Sequence, residues 1–189
     1  EKYDGLLSTV DAVILSDYAK GTLADFSQLI NLARQKDIPV LIDTKGKDFE
    51  KYKNATVITP NLHEAAVLLN APVATTHEQM QQQGERIMSL GARAVLMKGG
   101  HSDSENAVDL LVTPQGTHAF SAPRLHTKNT HGTGCTLASA IAAGLAKKLP
   151  LQVAVAQAKD YLHHALLHSE KLHIGQGSGP VHHFYNFYP

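Results

Sequence analysis

Thr127-Lys128-Asn129-Thr130-His131-Gly132-Thr133-Gly134-Cys135-Thr136-Leu137 runs from an extended region into a helix of small residues that spans Gly134 to Lys148. Two glycines flanking a threonine let consecutive backbone N–H groups turn toward one point. The helix that follows adds its unpaired N-terminal amides and the positive end of its dipole, so an anion site is expected at Gly132–Cys135. A phosphoryl group in flight spreads negative charge over its oxygens, and such a turn suits its stabilisation. A glycine-rich helix start is also an ordinary tight turn, and the spacing alone does not choose between the two.

Outward from this stretch, short apolar runs alternate with helical segments, the pattern of a parallel sheet wrapped by helices. Ala12–Leu15 reads as a buried strand ending at Ser16-Asp17, and a helix is expected from Gly21-Thr22 with Leu23, Phe26, Leu29, Ile30 and Ala33 on one face. Ile38–Ile42 is a second strand ending at Asp43, with Pro39 near its start, and Thr56–Thr59 is a third, followed by a helix opening at Asn61. A helix over residues 76–90 leads into strand Ala94–Lys98. Val108–Thr113 and Thr117–Ser121 flank the turn signal Pro114-Gln115-Gly116 and predict an antiparallel hairpin. After Pro150 a long amphipathic helix is expected to reach Leu172, facing Val155, Ala158, Leu162, Ala165, Leu166 and Leu172 inward.

The 189 residues fit one layered α/β domain. Lys plus Arg equals Asp plus Glu at 17 each, so no global charge argues for nucleic acid or an anionic membrane. No run approaches a membrane span and no secretory signal is read. A single cysteine forms no internal disulfide and suits a reducing, cytoplasmic compartment. The twelve histidines are scattered. His164 and His168 share a helix face at metal-like spacing, but without a third ligand they read as solvent-facing.

The string Asn129–Cys135 with Thr127 and Lys128 resembles the C-terminal signature of the hydroxymethylpyrimidine/phosphomethylpyrimidine kinases of thiamine biosynthesis, members of the ribokinase-like superfamily. The resemblance covers residues 56–189 and includes Thr59-Pro60-Asn61-Leu62 with Glu64, Val95–His101, Ala122-Pro123-Arg124 and Gly179–Phe184. It implies a three-layer α/β/α fold with a mostly parallel sheet and a C-terminal β-hairpin, and an ATP- and Mg²⁺-dependent transfer to the hydroxymethyl group of a small molecule.

Most ribokinase-like enzymes end the glycine turn with an aspartate that takes the proton of the acceptor hydroxyl. The pyrimidine kinases place a cysteine there, so the resemblance makes Cys135 the catalytic base and Gly132, Thr133 and Gly134 its anion-binding companions. Thiols at helix N-termini ionise more readily, which allows the role; a small residue packing the first turn is the alternative. By the same resemblance Lys98, at a strand's C-terminal end, contacts the nucleotide phosphates with Thr130. Asn61 and Glu64 match an Asn-x-x-Glu motif that organises magnesium and phosphate, and the same spacing is also a capping box. Asp17 and Asp43 both end strands on the binding edge, and Asp43 is kept beside Glu64 as a metal candidate.

Residues 1–60 read differently. Val10–Gly21, Ile38–Phe49 and Tyr52–Asn61 resemble the kinase domain of the bifunctional heptose-7-phosphate kinase/adenylyltransferase, which is also ribokinase-like. A join near residues 56–64 is therefore expected in a chimeric or truncated single partial domain, without the N-terminal strands and lid of whole family members. A heptose or other sugar kinase is the runner-up function, against which the absence of an aspartate at position 135 counts. A chain that keeps a silent half-site is the non-enzymatic alternative. An unpaired apolar strand edge at residues 12–15 predicts a homodimer or looser self-association.

Overall fold

The computed structural model describes residues 2–18, 25–45, 48–100 and 105–188. Among these residues six strands form one sheet whose spatial order is the chain order. Strands β1 (Val13–Ser16), β2 (Val40–Asp43), β3 (Val57–Ile58) and β4 (Val95–Lys98) run parallel. Strands β5 (Asn106–Thr113) and β6 (Gly116–Pro123) follow antiparallel as the expected hairpin. Its strands are longer than the sequence predicts, because Gly116 pairs with Thr113 and only Pro114 and Gln115 form the turn.

Side-chain alternation divides the core into two layers, one on each face of the sheet. Val40, Ile42, Ile58, Val95, Met97 and Leu110 point to one face. There they meet Leu7, which follows the short helix α1 (Lys2–Leu6), with Phe26, Ile30 and Ala33 of α2 (Phe26–Gln35), Leu62 and Ala65 of α3 (Leu62–Leu69), and Met80 and Ile87 of α4 (His77–Ser89). Leu41, Val57, Leu96 and Leu111 point to the other face, against Leu137 and Ile141 of α5 (Thr133–Ala146) and Val155 and Ala158 of α6 (Leu151–Leu167). A strand covered on both sides has no polar face, and all four residues of β2 are buried. The three-layer α/β/α architecture follows directly.

Several boundaries differ from expectation. Helix α2 opens at Phe26, because Asp25 is the N-cap and its carboxylate accepts the N–H of Gln28 at 3.0 Å. The predicted start at Gly21-Thr22, with Leu23, lies outside the described residues. Helix α6 stops at Leu167 and a 3₁₀ turn covers Ser169–Lys171, so Leu172 lies beyond the helix. The Ser169 hydroxyl donates to Leu166 O at 2.7 Å, engaging one of the last helical carbonyls. His164 and His168 are not simply solvent-facing: both stack on the Tyr185 ring, at centroid distances of 5.8 and 5.3 Å.

Candidate active site

The parallel strands all end at one edge, where open α/β sheets gather their ligands. The Asp17 N–H, just past β1, donates to Asp43 O at 2.9 Å, and the Lys98 N–H at the end of β4 donates to Pro60 O at the same distance. These bonds align the tips of β1, β2 and β4 with the start of α3. Asn61 and Glu64 form the capping box in full: Asn61 N–H donates to Glu64 Oε2 at 2.7 Å, and Glu64 N–H donates to Asn61 Oδ1 at 2.8 Å. The box leaves the Glu64 carboxylate at the sheet edge with a second neighbour, Lys98.

The Lys98 ammonium lies 3.6 Å from Asp43 Oδ1 and 4.0 Å from Glu64 Oε2, with its side chain only 14% exposed. It also borders the glycine turn, since a Cβ placed on Gly134 would sit 3.5 Å from Lys98 Nζ. Gly132 is the N-cap of α5 with φ +82°, a left-handed conformation that glycine adopts without the cost of a Cβ. Thr133, Gly134 and Cys135 then form the first turn of the helix. Thr130 stands exposed at the mouth of the turn, where its carbonyl accepts the Thr133 N–H at 3.4 Å. Lys98, Asp43, Glu64, Asn61 and the glycine turn are thus brought together, while Thr130 lies to one side.

Sequence reasoning missed several parts of this region. The hydroxyl of Tyr18 lies 2.9 Å from Cys135 Sγ. That hydrogen bond and the charge on the sulfur hold the Tyr18 phenol above its usual pKa. Asp17, a strand-end candidate, is committed elsewhere: its carboxylate accepts the Tyr52 hydroxyl and pairs with the Lys51 ammonium. Beneath Lys98, Gly99 N–H donates to Asp109 Oδ1 at 2.9 Å, and Asp109 Oδ2 pairs with Lys159 Nζ at 2.7 Å. A side chain at Gly99 would place its Cβ 2.1 Å from Val108 O, so only glycine fits there.

The C-terminal segment clasps the turn from behind. His131 N–H donates to Gly179 O at 3.0 Å, and Asn129 Nδ2 donates to Ser169 O and Leu172 O. Thr136 Oγ1 meets His183 Nε2 at 2.9 Å, while the Tyr161 hydroxyl donates to His183 O. The only signal for this clasp in the sequence was the ordered run Gly179–Phe184. Alongside the turn lies an open groove of about 800 Å³ lined by His131, Cys135, Ser139, Lys147, Tyr161 and His183 among others.

The sequence model of the phosphomethylpyrimidine kinase family matches residues 34–182. The chain belongs to that family. A hydroxymethylpyrimidine/phosphomethylpyrimidine kinase of Escherichia coli is 50% identical over 130 residues, which are 69% of this chain and 49% of that protein. A chloroplastic thiamine biosynthetic bifunctional enzyme of Arabidopsis thaliana is 36% identical over 178 residues, 93% of this chain and 31% of that enzyme. Among solved structures, pyridoxal kinase of Staphylococcus aureus in complex with AMP-PCP and pyridoxal superposes with a TM-score of 0.85. It is 26% identical and is matched over 98% of this chain and 72% of its own. The fold is therefore ribokinase-like, and the chain spans about half the length of the bacterial pyrimidine kinases it matches.

The family match begins at residue 34 and the Arabidopsis relative is aligned over most of the chain, so this likeness runs through residues 56–64 without a break. The sheet is likewise continuous there, with β3 in register between β2 and β4. Neither the heptose-kinase resemblance of residues 1–60 nor a join gains support from these findings.

Proposed function

We propose that the chain carries the nucleotide and anion side of an ATP-dependent kinase that phosphorylates the hydroxymethyl group of a small molecule, with hydroxymethylpyrimidine or its phosphate as the acceptor. The observation that supports this reading best is the meeting of Lys98 with the turn Gly132–Cys135 at the N-terminus of α5. The amides of Gly132 and Gly134, joined by that of Thr133 once it exchanges its long bond to Thr130 O for phosphate, would stabilise the transferring phosphoryl group, and the Lys98 ammonium would neutralise its growing charge. Thr130, at the mouth of the turn, would reach the nucleotide. Cys135 Sγ would take the acceptor hydroxyl's proton as its oxygen attacks phosphorus in line.

The donor set suits Mg²⁺ held largely by phosphate and water. Mg²⁺ usually engages one or two carboxylates and keeps several waters. Asp43 and Glu64 supply two carboxylates on either side of Lys98, and no group of three or more His, Cys, Asp and Glu that could hold a metal ion occurs among the described residues. Asn61 fixes the Glu64 rotamer through the capping box. When bound, the cation would offset the charge of the β- and γ-phosphates.

No helix among the described residues is long and apolar enough to cross a membrane. We place the enzyme in the cytoplasm with a small-molecule acceptor and no nucleic-acid or membrane partner. The outer edge of β1, which pairs only with β2 among the described residues and exposes Ile14 at 39%, supports self-association of the chain.

The deciding experiment measures ADP release with hydroxymethylpyrimidine present and absent, for the wild type and Cys135→Ala. Acceptor-dependent turnover that falls about 10²–10⁴-fold in the variant is expected. Turnover indifferent to the acceptor overturns the kinase reading, and full turnover in Cys135→Ala overturns the assignment of the base.

A further inference from the structure

We propose that Tyr18 is a positioning residue for Cys135, its hydroxyl holding the sulfur in the orientation from which the thiolate accepts a proton; this rests on the reading of Cys135 as the base. The two residues are 117 positions apart in sequence, yet the phenol oxygen lies 2.9 Å from Sγ. Neither packing need nor burial explains the contact, since Tyr18 is 45% exposed. The residue is aimed there by its neighbours. Asp17, buried and bonded to Tyr52, Lys51 and the backbone of β2, fixes the chain where it leaves β1. The Lys45 ammonium stands 4.5 Å above the Tyr18 ring centroid and holds the ring by its face. The hydroxyl is left directed at the first turn of α5.

In this reading the phenol O–H donates to the sulfur and occupies one of its lone pairs, which limits the directions from which the others accept a proton. In the transfer step the acceptor's O–H bond breaks and its proton forms S–H on Cys135, while the freed oxygen pair bonds to the γ-phosphorus of ATP and the bond from that phosphorus to the bridging oxygen breaks, releasing ADP. Tyr18 keeps its own proton throughout, consistent with a phenol held above its usual pKa by this sulfur. Among the described residues, the charged and titratable groups near the pair are Asp43 and Lys45 from the β2 end, Lys98 from β4, His131 from the turn and His183 from the C-terminal clasp. All are unchanged in a Tyr18→Phe variant, so a comparison with the wild type isolates the hydroxyl.

The chain has one cysteine, so its rate of alkylation by iodoacetamide reports Cys135 alone. Rates are measured for the wild type and Tyr18→Phe from neutral to alkaline pH. The variant is expected to react about three- to tenfold more slowly near neutrality, because the sulfur loses the hydroxyl that orients it. Coincident profiles overturn the proposal. A phenol titration supplies a second readout: Tyr18 is expected to ionise at lower pH in Cys135→Ala, and an unchanged titration also counts against the pair. If Cys135→Ala retains full turnover while the alkylation profiles differ, the base reading fails and the Tyr18–Cys135 coupling stands.

Discussion

Lys159 donates to Asp109 Oδ2 at 2.7 Å, and this pair, side chains 12% and 8% exposed, sits directly beneath the loop that follows Lys98. The other Asp109 oxygen holds the Gly99 N–H. Removing one partner leaves a buried charge without its counter-ion, which typically costs 3–5 kcal/mol, whereas removing both costs far less. Lys159→Met is expected to lose about 3 kcal/mol in urea denaturation, and the double variant Asp109→Asn/Lys159→Met to recover most of it. Additive losses in the double variant would show that the two residues do not act as a pair.

Gly134→Asp is expected to fold normally, since among the described residues only Lys98 Nζ lies within 4 Å of the added Cβ. The new carboxylate would pair with that ammonium and occupy the place of a phosphate. ATP affinity by calorimetry is expected to fall tenfold or more, a loss of at least about 1.4 kcal/mol. Equal affinities would remove the turn from the binding site.

Glu64 has two separable roles. Glu64→Gln keeps an oxygen that accepts the Asn61 N–H and so preserves the cap, while Asn61→Ala loses the cap and about 1 kcal/mol. If Glu64 also serves Mg²⁺, the Gln variant is expected to lose the gain in ATP affinity that Mg²⁺ gives the wild type, at unchanged stability. Calorimetry with and without the cation distinguishes the two; an intact Mg²⁺ gain leaves Glu64 as a cap only.

The Tyr18 phenol is held above its usual pKa, first by the hydrogen bond to Cys135 and then by the charge there. A raised folded-state value means that the folded chain binds this proton more tightly than the unfolded chain does. Its contribution to stability is complete below the ordinary phenol range near pH 10 and is lost as pH climbs through the raised value. Tyr18→Phe has no such proton to lose, so its stability is expected to fall less steeply than the wild type's as pH climbs past about 10, by a small amount because the group is largely exposed. Superimposable alkaline limbs would contradict the coupling.

The β1 edge predicts concentration-dependent association. Sedimentation equilibrium at high micromolar concentration is expected to show dimers or larger species, and Ile14→Lys, at a 39% exposed position of that strand, to shift them toward monomer. A monodisperse wild-type monomer would end the proposal.

What the sequence revealed follows from how local each signal is. Ile38–Ile42 read as a strand because burial on both faces makes a continuous apolar run, and the strand begins at Val40. The glycine turn and the Asn61–Glu64 box were legible because their partners lie within a few residues. Asp25 as the true N-cap of α2 was within reach of the same reasoning, as was the Thr76–Gln79 capping box of α4. Periodicity placed His164 and His168 on one face but carried nothing about Tyr185, which covers them. The pairs Tyr18–Cys135 and Asp109–Lys159 were invisible for the same reason: which side chains meet across 117 or 50 positions depends on strand register and helix placement.

The sheet's spatial order, identical to its chain order, bears on how the molecule is tied together. Each described strand pairs with the one before it in the chain, so every sheet contact spans a single connection. The contacts at the candidate site are not local in this way. Tyr18 meets Cys135, and His131 meets Gly179, so that the turn is held from both sides. The sheet and the candidate site thus differ in reach: the sheet joins neighbouring elements, and the site joins segments far apart among the described residues.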